Sequence, residues 1–170
     1  MLSPASSAEI EFRGYYPGVV GKITEAHAVY YHENWGFDVS FETQVGRELS
    51  EFVDSFQEGR DGLWVATVGA EFAGSVVIDG REATTEGARL RWFIVVPSFQ
   101  GTGLGKALLA RAVAFCRTRN HPKIYLWTFK GLDAARALYE GENFRLCREH
   151  VADPWGQNIT EQLFELGLQR

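Results

Sequence analysis

The stretch FIVVPSFQGTGLGK, from Phe93 to Lys106, decides the fold of this chain. In it an apolar strand runs into a turn with three alternating glycines, and the turn opens a helix. Glycine lets the backbone approach a ligand closely, because no Cβ stands in the way. The start of a helix adds unpaired N–H groups and the positive end of a dipole. Together these features predict a site for an anion, most often a phosphate.

Two phosphate-binding motifs do not fit this turn. A P-loop needs a glycine at the position of Gln100 and a serine or threonine at the position of Ala107. A dinucleotide fingerprint that begins at Gly101 needs a glycine where Lys106 stands. It also needs an acidic residue roughly 20 residues further on, and the nearest acid is Asp133. The sequence therefore argues against both kinds of nucleotide site.

A third motif fits the turn. The residues from Gln100 to Gly105, QGTGLG, match the pattern Gln/Arg-x-x-Gly-x-Gly/Ala, which marks the pyrophosphate loop of the GNAT acetyltransferase superfamily. The run Ala135–Glu140, followed by Phe144, resembles the second half of the same family. In detail the chain is similar to the acetyltransferase domain that bacteria sometimes fuse to a MarR-type regulator.

The resemblance implies that acetyl-coenzyme A is the cosubstrate and that its pyrophosphate binds the amides of the glycine turn. Pantetheine would pair with the preceding strand as an added strand does, and the amide of Ile94 or Val95 would polarise the thioester carbonyl. The residues that the resemblance places at the cofactor are Phe93, Ile94, Val95, Gln100, Gly101, Thr102, Gly103, Leu104, Gly105, Lys106, Thr128 and Ala135.

The resemblance also implies a catalytic acid at Tyr139, where the family often keeps a tyrosine that protonates the departing thiolate. A general base is not identified, and a water chain assisted by Asp79 or Glu42 stays open. The positions at which other members carry a polar catalytic residue hold different side chains here: Arg89, Arg91, Trp92, Trp127 and Leu132.

Two groups of side chains have more than one interpretation. Arg89 and Arg91 alternate with Phe93 and are expected on one face of their strand, either paired with acids or binding a carboxylate on the acceptor. The first helix carries residues that the family fold would place over the acceptor site. They pack in the core or form an amine-binding aromatic wall, and they are His27, Tyr30, Tyr31 and Trp35.

The flanking periodicity predicts one α/β domain over residues 1–170, with residues 1–8 disordered. The predicted strands are Ile10–Tyr16, Leu63–Val68, Phe72–Ile78, Ala88–Val96, Lys123–Thr128, Phe144–Val151 and Thr160–Leu168. The predicted helices are Pro17–Trp35, Phe41–Phe56, Gly103–Arg119 and Leu132–Glu140. Strands on either side of the third helix should be parallel, because such crossovers join parallel neighbours. The expected fold is GNAT-like, a mostly antiparallel mixed sheet with a central, splayed parallel pair flanked by helices.

The composition is that of a globular protein without a basic surface. Hydrophobic residues make up 45% and the net charge is −5, which argues against a nucleic-acid partner. No apolar run approaches the roughly 20 residues of a membrane span. Cys116 and Cys147 are too few for a disulfide framework and are both expected to be buried, and no signal peptide is seen, which favours the cytoplasm. Clustered metal ligands are also missing from the sequence, so no metal site is predicted.

The leading hypothesis is an N-acetyltransferase that moves an acetyl group from acetyl-coenzyme A to a primary amine, by direct attack in a ternary complex. Its acceptor would be a small molecule or a peptide. The main rival is a non-catalytic module that binds or senses acyl-coenzyme A. A phosphate- or nucleotide-binding domain of another kind is a second rival. The sequence leaves the acceptor, the acyl length and the choice between monomer and homodimer open.

Overall fold

The computed structural model describes residues 9–168, and the predicted disorder of residues 1–8 lies outside this range. The strands are β1 Ile10–Arg13, β2 Gly62–Val68, β3 Glu71–Asp79, β4 Ala88–Val95, β5 Lys123–Phe129, β6 Arg145–Ala152 and β7 Ile159–Gly167. The helices are α1 Val19–Trp35, α2 Val39–Asp54, α3 Leu104–Thr118 and α4 Asp133–Gly141. A short 3₁₀ turn, Pro97–Phe99, joins β4 to the glycine turn. The predicted order of strands and helices is confirmed.

The strands form one mixed sheet in the order β1-β2-β3-β4-β5-β7-β6. Strands β4 and β5 are parallel, whereas the other neighbouring pairs are antiparallel. The parallel pair follows from the crossover through α3, which returns the chain to the same edge. The predicted GNAT-like sheet with a central parallel pair is therefore confirmed.

Helices cover both faces of the sheet. On one face α1 and α2 pack against Val65 and Val77, and on the other face α3 packs against Val76 and Ile78. Neighbouring residues of β3 thus serve opposite cores, because successive side chains of a strand point to opposite faces. Tyr139 of α4 packs in the same core as the buried residues of α3, so α4 lies on that face of the sheet.

The ends of the first two helices follow from local chemistry. The carboxylate of Asp38 accepts a hydrogen bond from the Ser40 N–H at 2.9 Å and so caps α2. The side chains that α2 buries recur at spacings of three and four residues: Phe41, Val45, Leu49 and Phe52. Helix α1 begins at Val19, two residues later than predicted, because Gly18 takes a left-handed conformation with φ 94°. The predicted Pro17 start was therefore wrong, and β1 also ends earlier, at Arg13.

A bulge in β4 separates the parallel pair. Ser75 pairs with Ile94 and Val77 pairs with Arg91, so two residues, Trp92 and Phe93, stand opposite Val76 alone. Trp92 has φ 45°, an unusual value for a residue with a large side chain. Its carbonyl accepts a hydrogen bond from the Ser75 hydroxyl at 2.8 Å, which ties the bulge to β3. Bulges bend a strand and increase its local twist.

The bulge coincides with the divergence of β4 from β5. The two strands pair only at Ala88–Ile124 and Arg89–Tyr125, although β4 continues to Val95 and β5 continues to Phe129. The strands are therefore joined at one end and separated at the other. The predicted splay of the parallel pair is confirmed, and its separated end forms a cleft.

The bulge also overturns one prediction about side-chain direction. Arg91 reaches Glu48 of α2, whereas Phe93 packs with Tyr139 of α4 on the opposite face of the sheet. One extra residue in the strand exchanges the faces of all residues beyond it. The expectation that Arg89 and Arg91 share a face with Phe93 was wrong for this reason.

Candidate functional site

The cleft between β4 and β5 has a volume of about 860 Å³. One end is bordered by the glycine turn and the start of α3, and the other end reaches α1 and α2. Ten of the predicted cofactor residues line it: Phe93, Ile94, Val95, Gln100, Gly101, Gly103, Gly105, Lys106, Thr128 and Ala135. The structure thus brings the distant segments that the sequence singled out to one cavity.

The glycine turn is exposed, and its shape depends on left-handed backbone angles. Gly101 has φ 77° and Gly103 has φ 85°, and both residues are exposed. A Cβ at either glycine would find no heavy atom of the described residues within 4 Å. The first α3 amide bonded back to the turn is that of Ala107, which donates to the Gly103 carbonyl at 3.1 Å. The amides just before Ala107 lack such a helical partner, so the turn has the geometry of an anion cradle.

Two polar side chains of the turn stabilise its own backbone. The Gln100 amide donates to the Val95 carbonyl at 3.0 Å, and the Thr102 hydroxyl donates to the Phe99 carbonyl at 2.6 Å. Leu104 is buried in the core below the turn. Any direct contact of Thr102 or Leu104 with a ligand would therefore come from the backbone amide.

The hydrogen bonds between β4 and β3 determine which amides of β4 face the cleft. The Val96 N–H donates to the Ala73 carbonyl of β3 at 3.0 Å. Because N–H groups alternate between the two sides of an antiparallel strand, the Ile94 amide is also directed to β3. The amide of Val95 is then directed toward the cleft. The amide of Phe93 has the same direction, because the carbonyl of Trp92 in the same trans peptide bonds to Ser75 of β3. Of the two amides that the sequence left open as thioester ligands, only that of Val95 has the required direction.

Tyr139 lies in the wall of the cleft with only 5% of its surface exposed. Its ring packs between aromatic neighbours, with centroids 6.0 Å from Phe93, 6.0 Å from Phe144 and 5.9 Å from Phe164. Burial, with a smaller contribution from Tyr31, raises the pKa of this phenol well above its ordinary value. The hydroxyl is therefore protonated over the whole range in which the protein would function, as a proton donor requires.

Aromatic residues form the opposite end of the cleft. Tyr31 stacks on Phe37 at 5.8 Å and meets Phe129 edge-on at 5.9 Å. Trp35 also meets Phe129 edge-on, at 4.8 Å. These contacts confirm a packing role for the predicted aromatic group. The group also borders the cavity, since His27, Tyr30, Tyr31 and Trp35 all line the cleft.

His27 is neutral and fixed in one tautomer. Its Nδ1 lies 2.8 Å from the Ile23 carbonyl, which can only accept, so Nδ1 carries the proton. Burial lowers the pKa of His27 to about 4, and the hydrogen bond to Ile23 opposes this only in part. A neutral imidazole at the acceptor end can accept a hydrogen bond through Nε2.

Charged groups near the base of the cleft form a connected network. Asp79 pairs with Arg81 at 2.6 Å and with Arg91 at 3.3 Å, and Arg91 also pairs with Glu48 at 2.5 Å. Burial alone would raise the pKa of Asp79, but hydrogen bonds and charge from Arg81, with the charge of Arg91, hold it below its ordinary value. Asp79 therefore forms ion pairs with two arginines, and its lowered pKa makes it a weaker proton acceptor.

The sequence interpretation missed two residues of α2 that line the cleft. Gln44 and Glu48 follow Phe41 at spacings of three and seven residues, so they lie at the border of the apolar stripe. That spacing is the signal that could have found them. By contrast, Glu42 is exposed in the first turn of α2. Gln44 accepts a hydrogen bond from the Trp155 indole at 2.9 Å, which joins the last loop to the acceptor end.

Residues 9–168 have three further features that bear on function. That range contains no group of three or more His, Cys, Asp or Glu side chains that could hold a metal ion. None of the helices described above is long and apolar enough to cross a membrane. Of the two cysteines, Cys116 is buried as expected, whereas Cys147 is exposed. The second expectation was wrong because β6 is an edge strand whose residues face solvent.

Comparison with solved structures shows the same fold in several acetyltransferases. An acetyltransferase of the GNAT family from Staphylococcus aureus Mu50 has a TM-score of 0.78 at 15% identity, over 95% of this chain and 100% of that chain. The protein yncA from Salmonella typhimurium, solved with its cofactor acetyl-CoA, gives 0.72 at 14% identity, over 95% of each chain. The Escherichia coli ribosomal-protein-S18-alanine N-acetyltransferase gives 0.68 at 17% identity, over 95% of this chain and 96% of that chain. Because these identities are all below 25%, the structural similarity shows the fold alone.

A search of curated proteins found no match. A sequence model described as the Acetyltransferase (GNAT) family matches residues 23–144. This range covers well over half of the chain and includes most of α1, all of α2, the bulged strand β4, the glycine turn and Tyr139. On this match, together with the splayed sheet, the chain belongs to the GNAT family of acetyltransferases.

Proposed function

We propose that the protein is an N-acetyltransferase that transfers an acetyl group from acetyl-coenzyme A to a primary amine. The observation that carries this proposal is the cleft itself. An exposed glycine turn, two cleft-facing β4 amides and a buried phenol border one cavity that opens toward a second, aromatic end. A cavity with two ends can hold a cofactor and an acceptor together, as direct transfer in a ternary complex requires.

The residues of the turn fit the diphosphate of acetyl-coenzyme A. The open space at Gly101 and Gly103 admits phosphate oxygens where a Cβ would stand, and the amides up to Lys106 can donate to them. Lys106 is exposed and can add a positive charge. The amide of Val95 would bond the pantetheine arm or the thioester carbonyl. Thr128 and Ala135 would border the arm from β5 and α4.

The chemistry needs two contributions from the protein, a hydrogen-bond donor to the carbonyl oxygen and a proton for the thiolate. The acetyl group arrives activated as a thioester, and the amine nitrogen attacks its carbonyl carbon while the carbon–sulfur bond breaks. A β4 amide, of Val95 or Phe93, stabilises the negative charge that develops on the carbonyl oxygen. The Tyr139 hydroxyl gives its proton to the departing thiolate and regains one from water, which also takes up the proton of the attacking amine. Asp79 is already ion-paired, so we assign it no role in the removal of this proton.

Two rival functions give different results in one set of measurements. Purified protein is incubated with acetyl-coenzyme A and a panel of primary amines, and release of free thiol is followed together with the mass of the acetylated product. We expect amine-dependent thiol release well above the rate of hydrolysis. A sensing module would bind acetyl-coenzyme A, measured by calorimetry, and release no thiol above background. Stabilisation by ATP or NAD but not by acetyl-coenzyme A, in a thermal-shift assay, would identify a nucleotide-binding domain.

A further inference from the structure

Arg89 lies at the base of the cleft, where β4 and β5 make their last contact. It pairs in register with Tyr125 and is the final β4 residue joined to β5 before the strands diverge. Its side chain lines the cleft. The Nε atom is buried, and it has no hydrogen-bond partner within residues 9–168. A buried guanidinium donor without a partner is costly, so such donors are normally satisfied.

The neighbouring acidic residues already form ion pairs with other arginines. Asp79 pairs with Arg81 and Arg91, and Glu48 pairs with Arg91. Two carboxylates thus balance two guanidinium groups, and the charge of Arg89 remains in excess. That charge is close enough to Arg91 to help lower the pKa of Arg91, although burial is the larger cause.

Other acids of the cleft do not provide this balance. Glu161 lies 2.8 Å from His150, and Asp133 is exposed in the first turn of α4; neither forms an ion pair with Arg89. The protein as a whole has a net charge of −5, so the excess positive charge is a local feature of the cleft rather than part of a basic surface. An anionic group of a ligand would balance it.

We propose that the acceptor carries a carboxylate in addition to its amine, and that Arg89 binds this carboxylate. The proposal rests on the proposed transferase function and adds the class of acceptor, an amino acid or a similar amino-carboxylate. A guanidinium offers parallel N–H donors that match the two carboxylate oxygens, and the partly buried position excludes competing water. The aromatic end of the cleft, with Tyr31 and Trp35, would hold the apolar part of the acceptor.

The test compares matched acceptors that differ only in charge. Each amino acid, for example phenylalanine, 4-aminobutyrate or glycine, is paired with its carboxamide, and kcat/KM is measured for the wild type and for Arg89→Gln. For at least one pair we expect the wild type to prefer the carboxylate by tenfold or more, mainly through KM. Arg89→Gln should remove this preference and leave the KM for acetyl-coenzyme A unchanged, and Arg89→Lys should restore part of it.

A control variant and a binding measurement make the outcome decisive. Arg111→Gln changes an arginine of α3 that stacks over Phe12, at 3.8 Å, and should behave as the wild type does. An equal carboxylate preference in the wild type and in Arg89→Gln, or none in the wild type, would overturn the proposal. If no amine supports turnover, the transferase function fails separately. Calorimetry with N-acetylphenylalanine and its amide then decides about Arg89, since binding of the acid must be lost in Arg89→Gln.

Discussion

Replacement of Gly103 by alanine separates the cost of backbone strain from the loss of a ligand site. Gly103 has φ 85°, and an added Cβ would touch no heavy atom of residues 9–168 within 4 Å. The fold should therefore lose only the energy of a left-handed alanine, about 1–2 kcal/mol. If the diphosphate occupies that open space, the methyl group displaces it. Loss of one hydrogen bond to a charged group costs about 1.5–3 kcal/mol, or roughly a 10- to 100-fold weaker affinity for acetyl-coenzyme A.

Gly69 provides the matched control for this variant. It lies at the tip of the β2–β3 hairpin with φ 61°, and the space around it is equally open among the described residues. Urea unfolding should give the same loss, about 1–2 kcal/mol, for Gly103→Ala and Gly69→Ala. Calorimetric titration with acetyl-coenzyme A should then separate them, because only Gly103→Ala is expected to bind weakly. Equal and undiminished affinity in both variants would refute the assignment of the turn as a diphosphate cradle.

Three further predictions concern other parts of the molecule. Tyr139→Phe should keep the acetyl-coenzyme A affinity measured by calorimetry and lose about 10²–10⁴-fold in single-turnover rate, whereas Tyr15→Phe, at an exposed position, should lose nothing. An unchanged rate in Tyr139→Phe would remove this phenol from the mechanism. The pKa of His27, about 4 in the folded chain, lies below its unfolded value, so the unfolded state binds more protons between these values and stability falls as the pH drops. Wild type should lose roughly 2–3 kcal/mol more than His27→Gln between pH 7.5 and 4.5, measured by urea unfolding, and equal losses would contradict the neutral buried imidazole. A thiol reagent should modify Cys147 in the folded protein and Cys116 only after unfolding, since Cys116 is buried and its pKa is raised by burial to about 12. Rapid modification of Cys116 in the folded Cys147→Ser variant would show that the core at α3 is open.

Much of the fold could be predicted from the sequence, because it depends on interactions between residues that are close along the chain. The strand, the glycine turn and the α3 stripe are neighbours along the chain, so their pattern predicts both the crossover and the exposed turn. The order of strands and helices, the parallel pair and its splay were predicted and are confirmed. The boundaries were less well predicted. Helix α1 starts at Val19 instead of Pro17, and α2 ends at Asp54 instead of Phe56, because single capping residues decide where a helix ends.

The candidate site was predicted in part. The cofactor residues and Tyr139 were found because they belong to a recognisable motif, and they line one cleft. The α2 residues Gln44 and Glu48 were missed although their spacing from Phe41 indicates them. The contact of Glu48 with Arg91 across 43 residues, however, is not visible in a linear pattern. The sequence also could not show which amide, that of Ile94 or that of Val95, faces the cleft. This direction depends on the hydrogen bonds that β4 makes with β3.

The sequence by itself determined the glycine turn, the apolar stripes and the order of the elements, since each arises from residues a few positions apart. Only the tertiary structure decided the bulge at Trp92, which reverses the faces of Arg91 and Phe93, and the ion pairs that leave Arg89 with an uncompensated charge. The physical reason is that strand register and ion pairing depend on partners far away in sequence. One extra residue in β4 changes which side chains those partners meet.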